Sequence, residues 1–337
     1  MLSHLLREVA TNVPDPGEQV ARVLEGAGSV VHLGTIWPGR AIYLLFAPGQ
    51  RVPTVVLKVD DLERHKVRLR AEFANLTTVS SKESLHGTVP APLALAQVGD
   101  KLVLAQTGIG GIPLNAVLRR RLLQSARGTE RDHSLIVNWL RRFHAVSTPT
   151  APNLLNPDVI HERLVRTLPD GPEQWTGLLS RVEGAGHDFA GTPIPQVWCH
   201  GDLGPSNCLS RGQNIGVIDW EGGPALGNPL GDLTLFLNYY ARAMPVAGRK
   251  LLLHEEAFER AFLGEGWLAR VTRSTFRKEM AVHGLPVEAL PYLLLATLAD
   301  MAGGTAGTAH SNRPNFRLAY QDRLGRYARY LMDNRLL

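Results

Sequence analysis

Between residues 29 and 60 the apolar residues fall into three short runs, and only tight Pro-Gly turns separate them. Ser29 to Ile36, Ala41 to Phe46 and Thr54 to Val59 are rich in β-branched and aromatic residues, the composition of strands. The breaks are Trp37-Pro38-Gly39-Arg40 and Ala47-Pro48-Gly49-Gln50. Connections this short return the chain antiparallel to itself, since a parallel crossover needs a dozen residues or more. The period then changes. Leu62, Val67, Leu69, Phe73 and Leu76 are spaced for a helix over 61–76. A strand pair follows, Ala94 to Val98 and Leu102 to Gln106, turning at Gly99-Asp100, and then a glycine-rich hinge, Thr107 to Pro113. Beyond Leu114 helical spacing dominates, with a helix over Leu135 to Val146. Two helices are expected among the proline-rich connections of 149–195, and more from Pro229 on, apart from a loop between Gly303 and Pro314. The expectation is an α+β chain with a β-rich lobe over 1–107 and a mainly helical lobe over 108–337.

Bulk properties exclude several classes. A chain of 337 residues suits two lobes rather than one core. Its net charge of +5 is spread out, and the longest basic run is Arg119 to Arg121, too short for a nucleic-acid tail. No nucleic-acid partner is expected. Two cysteines, Cys199 and Cys208, cannot form a disulfide framework, and with His200 they lack a fourth ligand for structural zinc. The start, Met1 to Ala10, is amphipathic and interrupted by Arg7 and Glu8, unlike a signal peptide. Leu290 to Ala299 is the longest apolar stretch and too short to cross a bilayer. A cytoplasmic protein without a membrane partner is expected.

The densest polar cluster lies at 197–221. Val197 to Cys199 reads as a strand, His200-Gly201-Asp202 as a tight turn, and Asn207 precedes the apolar pair Cys208-Leu209. A hairpin turning at Ser210 to Asn214 leads into Ile215 to Glu221. Alternation predicts that Ile215, Val217 and Asp219 share one face of that strand, with Glu221 joining if the strand continues. Two carboxylates and an amide thus meet at a strand end with no Lys or Arg near in sequence. Unpaired buried carboxylates are costly, and a hard cation such as Mg²⁺, held by carboxylate and amide oxygens, removes that cost. Asp202 then suits a different task, accepting the proton of an attacking hydroxyl.

The pattern H-G-D-x-x-x-x-N over His200 to Asn207 resembles the catalytic-loop motif of the aminoglycoside phosphotransferase and choline kinase family. Ile218-Asp219-Trp220-Glu221 is similar to that family's metal motif, and Gly231-Asp232-Leu233 to an element that follows it. Protein kinases carry H-R-D-x-x-x-x-N and D-F-G at the analogous places. The resemblance implies a protein-kinase-like two-lobed fold and transfer of the γ-phosphoryl group of Mg²⁺-bound ATP or GTP to a hydroxyl of a sugar, antibiotic or related metabolite. It implies Asp202 as the catalytic carboxylate, with Asn207, Asp219 and Glu221 on the metal. Lys58 resembles the nucleotide-binding lysine of a β-strand, Glu72 the helix glutamate that pairs with it, and Leu102 to Gly108 the hinge, where backbone groups of Ala105 and Thr107 meet adenine.

The turn over the phosphates falls at Trp37 to Arg40 and has no G-x-G-x-x-G; no P-loop motif G-x-x-x-x-G-K-[ST] occurs anywhere. Beyond Tyr240 the chain is at least as basic as acidic, with Arg249-Lys250, Arg277-Lys278 and several arginines from Arg313 to Arg335. On steering grounds a neutral or anionic acceptor is expected rather than a polycation. The alternative, a nucleotide-binding pseudokinase with a regulatory role, is opposed by the joint presence of Lys58, Asp202, Asn207 and Asp219.

Overall fold

The computed structural model describes residues 2–334 except 15–16, 27, 35–38, 122–123, 148–150, 170–171, 245–253 and 304–313. Trp37 and Pro38 of the expected phosphate turn, the pair Arg249-Lys250 and the loop expected after Gly303 lie outside the described residues. In chain order the elements are α1 (Leu2–Asn12), α2 (Glu18–Leu24), β1 (Ser29–His32), β2 (Arg40–Phe46), β3 (Val55–Asp60), α3 (Glu63–Ser80), β4 (Pro92–Val98), β5 (Lys101–Thr107), β6 (Ile112–Pro113), α4 (Leu114–Arg120) and α5 (Ala126–Ala145). Then come β7 (Asn153–Leu154), α6 (Pro157–Thr167), α7 (Thr176–Gly186), β8 (Pro193–Ile194), β9 (Val197–Cys199), β10 (Cys208–Arg211), β11 (Asn214–Val217) and β12 (Ala225–Gly227). The chain finishes with α8 (Gly231–Ala243), α9 (His254–Phe258), α10 (Trp267–Val282), α11 (Leu290–Gly303) and α12 (Pro314–Asp333). These elements form two compact units, residues 1–113 with 207–221, and 114–206 with 222–337.

The first unit is built on an antiparallel sheet of order β1-β2-β3-β5-β4. Alternation sorts its two faces. Leu45, Val55, Leu57, Val103 and Ala105 join Leu5, Leu6 and Val9 of α1 in one core. Burying a residue such as Leu57 contributes about 1.5–3 kcal/mol, so Leu57→Ala is a change that would open this core. Lys58, one residue on, points to the other face. There α3 buries the stripe Leu69, Glu72, Leu76 and Val79. The expected apolar face of this helix is only partly right, because Val67 is 61% exposed. The helix takes the phase that brings Glu72 to Lys58. A small sheet, β11-β10-β6, completes the unit; its hairpin pairs Arg211 with Asn214 and turns at Gly212, φ 64°.

The second unit is mainly helical. Its central helix, α8, buries Leu233, Leu235, Phe236, Leu237 and Tyr240. Tyr240 donates to Asp132 of α5 at 2.7 Å. Helix α5 starts well before the predicted Leu135, because its first turns are polar and hide their period; Ser125 caps it, its hydroxyl accepting from the Gly128 N–H at 3.2 Å. Asn156 caps α6 in the same way ahead of Pro157. Both cysteines are buried and free. Among the described residues no helix is long and apolar enough to cross a membrane.

Candidate active site

In the first unit the pairing Ile42↔Lys58↔Leu104 fixes Lys58 in the middle of three strands. Lys58 is 6% exposed, and its ammonium donates to both carboxylate oxygens of Glu72 at 2.6 and 2.8 Å and to Asp219 Oδ1 at 2.8 Å. Burial alone would lower the Lys58 pKa; Asp219 and Glu72 outweigh it and hold the lysine charged. Burial, together with the Asp219 and Glu221 charges, pushes the Glu72 carboxyl up against the pull of Lys58.

Asp219 is not on a strand face as alternation predicts. β11 stops at Val217, and Asp219 takes φ 70°, the left-handed region that a non-glycine residue enters at a cost of roughly 1–3 kcal/mol. Its neighbours impose this turn. The Ile218 N–H donates to the Asn207 C=O at 3.0 Å. Trp220, fully buried, donates its indole N–H to the Val217 C=O at 3.0 Å, and its own C=O accepts from Asn75 at 2.8 Å. The Asp219 carboxylate is thereby turned onto Lys58 and left 34% exposed.

Sequence reasoning missed the cations that balance this cluster. Arg40, on β2, binds Asp60 through its Nε and Nη2 atoms at 3.0–3.2 Å and also donates to Glu221. Arg68 lies 3.7 Å from Glu221. The carboxylates therefore do have Lys and Arg partners, brought from β2, β3 and α3 rather than from nearby in sequence. Asp60, Glu72, Asp219 and Glu221 still outnumber Lys58, Arg40 and Arg68 by one. One oxygen each from Glu72, Asp219 and Glu221 lie within 4.8 Å of one another. The donor set these three carboxylates offer is all oxygen and carries surplus negative charge, which fits a hard divalent cation. Because Glu221 is engaged by Arg40, the more accessible Asp219 is the better placed of the carboxylates to serve one.

The hinge candidates sit in β5, which β3 and β4 flank on both sides. Ala105 is fully buried, in register with Leu57 and Ala94. The Thr107 N–H donates to the Ala91 C=O at 2.8 Å, and its hydroxyl accepts from the Ala91 N–H at 2.8 Å. An adenine edge could meet backbone only where β5 runs out, at Thr107 and the glycines after it.

Asp202 belongs to the second unit. It follows β9 on a turn in which Gly201 has φ 77°. Asp232, at the start of α8, accepts from the His200 N–H at 2.6 Å and the Gly201 N–H at 2.9 Å. The Asp202 N–H donates to His200 Nδ1 at 3.2 Å, and its C=O accepts from the Gly204 N–H at 2.9 Å. Gly223 lies behind the turn, where a Cβ would come within 2.3 Å of the Cys199 C=O. Asp232 is fully buried, which raises its pKa, while His200 and Gly201 oppose that. Buried and bonded to two backbone amides, it holds the turn rather than reacting. Asp202 itself is half-buried.

The model of the phosphotransferase enzyme family matches residues 43–265 of the chain. No curated protein matches it. Among solved structures, the GDP complex of a point mutant of aminoglycoside 2'-phosphotransferase-IIIa is similar with a TM-score of 0.50 and 14% identity, over 98% of each chain. An aminoglycoside phosphotransferase from Streptomyces rimosus ATCC10970 has a TM-score of 0.45 and 16% identity, over 90% of this chain and 95% of that one. Glucosamine kinase, in complex with glucosamine, ADP and inorganic phosphate, has a TM-score of 0.46 and 13% identity, over 100% and 87%. At such identities the likeness concerns the fold, which is protein-kinase-like, with its β-sheet N-terminal and its helices mainly C-terminal.

Proposed function

The chain belongs to the phosphotransferase enzyme family, and from that premise we propose that it transfers the γ-phosphoryl group of a Mg²⁺-bound purine nucleotide to a hydroxyl of a small molecule. The observation that carries the reading is the lysine of β3 strung between a helix glutamate and the carboxylate at φ 70°. A buried ammonium between two carboxylates is poised to exchange one of them for phosphate oxygens, and Lys58 would steady the α- and β-phosphates. Glu72 would keep Lys58 aimed. Asn207 and Asp219, with Glu221 as a further oxygen donor, would hold the metal. When bound, Mg²⁺ neutralises charge on the phosphates and orients them. Asp202 would accept the proton of the acceptor hydroxyl as it attacks. Thr107 and the glycines after it, rather than the buried Ala105, would face adenine through backbone groups where β5 ends. Catalysis of this kind rests on positioning and charge, as phosphoryl transfer needs little covalent help.

The test is the thermal shift of the purified protein with MgATP and with MgGTP, beside Asp219→Asn. Asparagine tolerates the left-handed backbone, so the variant should fold while losing the metal-dependent part of binding. Nucleotide at about a hundred times its Kd stabilises by roughly 2.7 kcal/mol, a rise of a few degrees for a chain of this length. Asp202→Asn should keep that shift and lose about 10²–10⁴-fold in turnover. If neither nucleotide shifts the wild type, the reading fails at its first step.

A further inference from the structure

Three arginines of the second unit surround the helix face nearest Asp202. On α8, the Tyr239 ring packs against the chain two residues past Asp202, its Cδ2 3.6 Å from where a Gly204 Cβ would stand. Asn238, beside it, donates to the Tyr320 hydroxyl of α12 at 3.4 Å. The Arg323 guanidinium lies over the Tyr320 ring, 4.3 Å from its centre, and is 3% exposed. Arg242 follows Tyr239 by three residues and so shares its side of α8; Arg119 is exposed on α4, which packs on α8.

Charge ties these groups together. Burial first, and then Arg323 and Arg119, hold the Arg242 guanidinium below its ordinary value, with Tyr239 opposing. Burial raises Tyr239 and Tyr320, and the Asp202 carboxylate adds to both. Some arginines of the unit do meet carboxylates, Arg121 with Asp132, Arg141 with Glu279 and Arg163 with Asp300. Among the described residues Arg119 and Arg242 have no carboxylate partner, and Asp232 is occupied by backbone amides. Keeping the part-buried Arg242 among like charges without a carboxylate partner is costly, and a ligand anion removes the cost.

We propose that the acceptor is an anionic hydroxy compound, whose carboxylate or phosphate is held by Arg242 with Arg119 while its hydroxyl is presented to Asp202. Tyr239 would supply a flat surface for its carbon skeleton. The inference rests on the role proposed above for Asp202. In the transfer, the bond from the γ-phosphorus to the β-bridging oxygen breaks, a bond from that phosphorus to the acceptor oxygen forms, and the hydroxyl proton passes to Asp202. The products are a nucleoside diphosphate and a phosphate monoester that still carries the second anion.

The experiment follows nucleoside diphosphate release and equilibrium binding, by calorimetry with MgADP or MgGDP present, over a panel of hydroxy compounds. Each skeleton is offered in carboxylate, phosphate, neutral and ammonium forms; gluconate, glucose 6-phosphate, glucose and glucosamine are one such set. An anionic member should exceed its neutral and ammonium counterparts by about tenfold or more in kcat/KM, the worth of one charge-assisted hydrogen bond. The carboxylate and phosphate arms tell which anion is held. Arg242→Gln should remove most of the preference through KM, and raised salt should narrow it. Arg119→Gln, at an exposed position, gives the same readout in a weaker form if Arg242→Gln does not fold. Ammonium members equal to or better than anionic ones, or a preference untouched in both variants, overturn the inference. So does a wild type that nucleotide stabilises but that neither binds nor turns over any anionic member. A wild type that nucleotide does not stabilise points instead to failure of the proposed phosphotransfer itself.

Discussion

Two aspartates of this chain are held in place by opposite means. The Asp219 carboxylate is held by side-chain charge: Lys58 of β3 joins it to Glu72 of α3, and a second ionic set, Arg40 of β2 with Asp60 and Glu221, lies beside it. Asp202 is fixed by backbone, on a turn whose two preceding amides are gripped by the single carboxylate of Asp232. An ionic cluster can exchange partners when a charged ligand arrives, because its members are side chains. A backbone clamp cannot, and it keeps one geometry throughout. The first arrangement suits groups that must accept phosphates and a cation, the second a carboxylate that must stay at a fixed point.

The comparison breaks most visibly at Lys58. Lys58→Met leaves Glu72 buried without its cation, and losing one partner of a buried pair costs about 3–5 kcal/mol. Urea denaturation at pH 7 should show this, and Lys58→Met/Glu72→Gln should recover a large part, because the remaining buried charge is gone. The sign with pH is specific. A buried carboxyl with raised pKa contributes stability below its unfolded pKa and loses it as pH rises through the folded value. With Lys58 absent, Glu72 has only raising influences left, so the single variant should gain stability relative to wild type as pH falls from 7 to 5. A Lys58→Met protein as stable as wild type at every pH would mean that the cluster is not an ionic unit.

The backbone clamp should be the weaker of the two. Asp232→Ala leaves the His200 and Gly201 amides, both on buried residues, without their acceptor. A buried group left unsatisfied costs about 1–3 kcal/mol, partly relieved if water enters. The expected loss in urea is therefore about 2 kcal/mol. Unlike Lys58→Met, it should vary little between pH 6 and 8, since no charge is left unpaired. Hydrogen exchange at the His200 and Gly201 amides should rise in this variant and stay slow in Lys58→Met, which would sharpen the distinction between the two kinds of support.

How far the sequence foretold these arrangements follows the same division. The strands were readable because alternation and Pro-Gly turns are local signals: the run expected over 41–46 is β2 at Arg40–Phe46, and that over 54–59 is β3 at Val55–Asp60. The juxtaposition of Lys58 with Glu72 followed from a resemblance in spacing, and the helix phase that delivers it was misread, since a buried glutamate does not look like a core residue. Arg40 went unnoticed because its partners are far away in sequence: Asp60 is reached by strand register, and Glu221 by the packing of the β10–β11 hairpin in the first unit. The strand face predicted for Asp219 failed at Val217, where a turn held by Asn207 and Trp220 replaces the ladder. Pairing of β6 with β10 was equally silent, as two-residue strands have no period to read.

The smallest effect separates the charged cluster from the neutral interior of the helical unit. His144 on α5 has both ring nitrogens buried without a hydrogen-bond partner among the described residues, and burial, with His283 adding, pushes its pKa down to about 3. His283 faces it, rings 5.6 Å apart, and beyond are Arg141 and its partner Glu279. His133 is lowered to about 4 by burial, against Asp132. For a histidine with a depressed folded pKa, the unfolded chain takes up the proton first, so stability is intact above the unfolded pKa near 6.5 and falls as pH drops through the folded value. Each such histidine contributes a slope of at most about 1.4 kcal/mol per pH unit below that point. His144→Leu replaces an unpartnered polar ring with an apolar side chain. It should therefore be near neutral at pH 8 and visibly stabilising at pH 5, measured as urea midpoints at the two values. Equal midpoint changes at both pH values would mean that His144 carries its proton in the folded state or finds water there. Lys58→Met, which keeps these histidines, should gain stability only relative to the wild type over the same range, because its buried carboxyl takes up the proton that they resist.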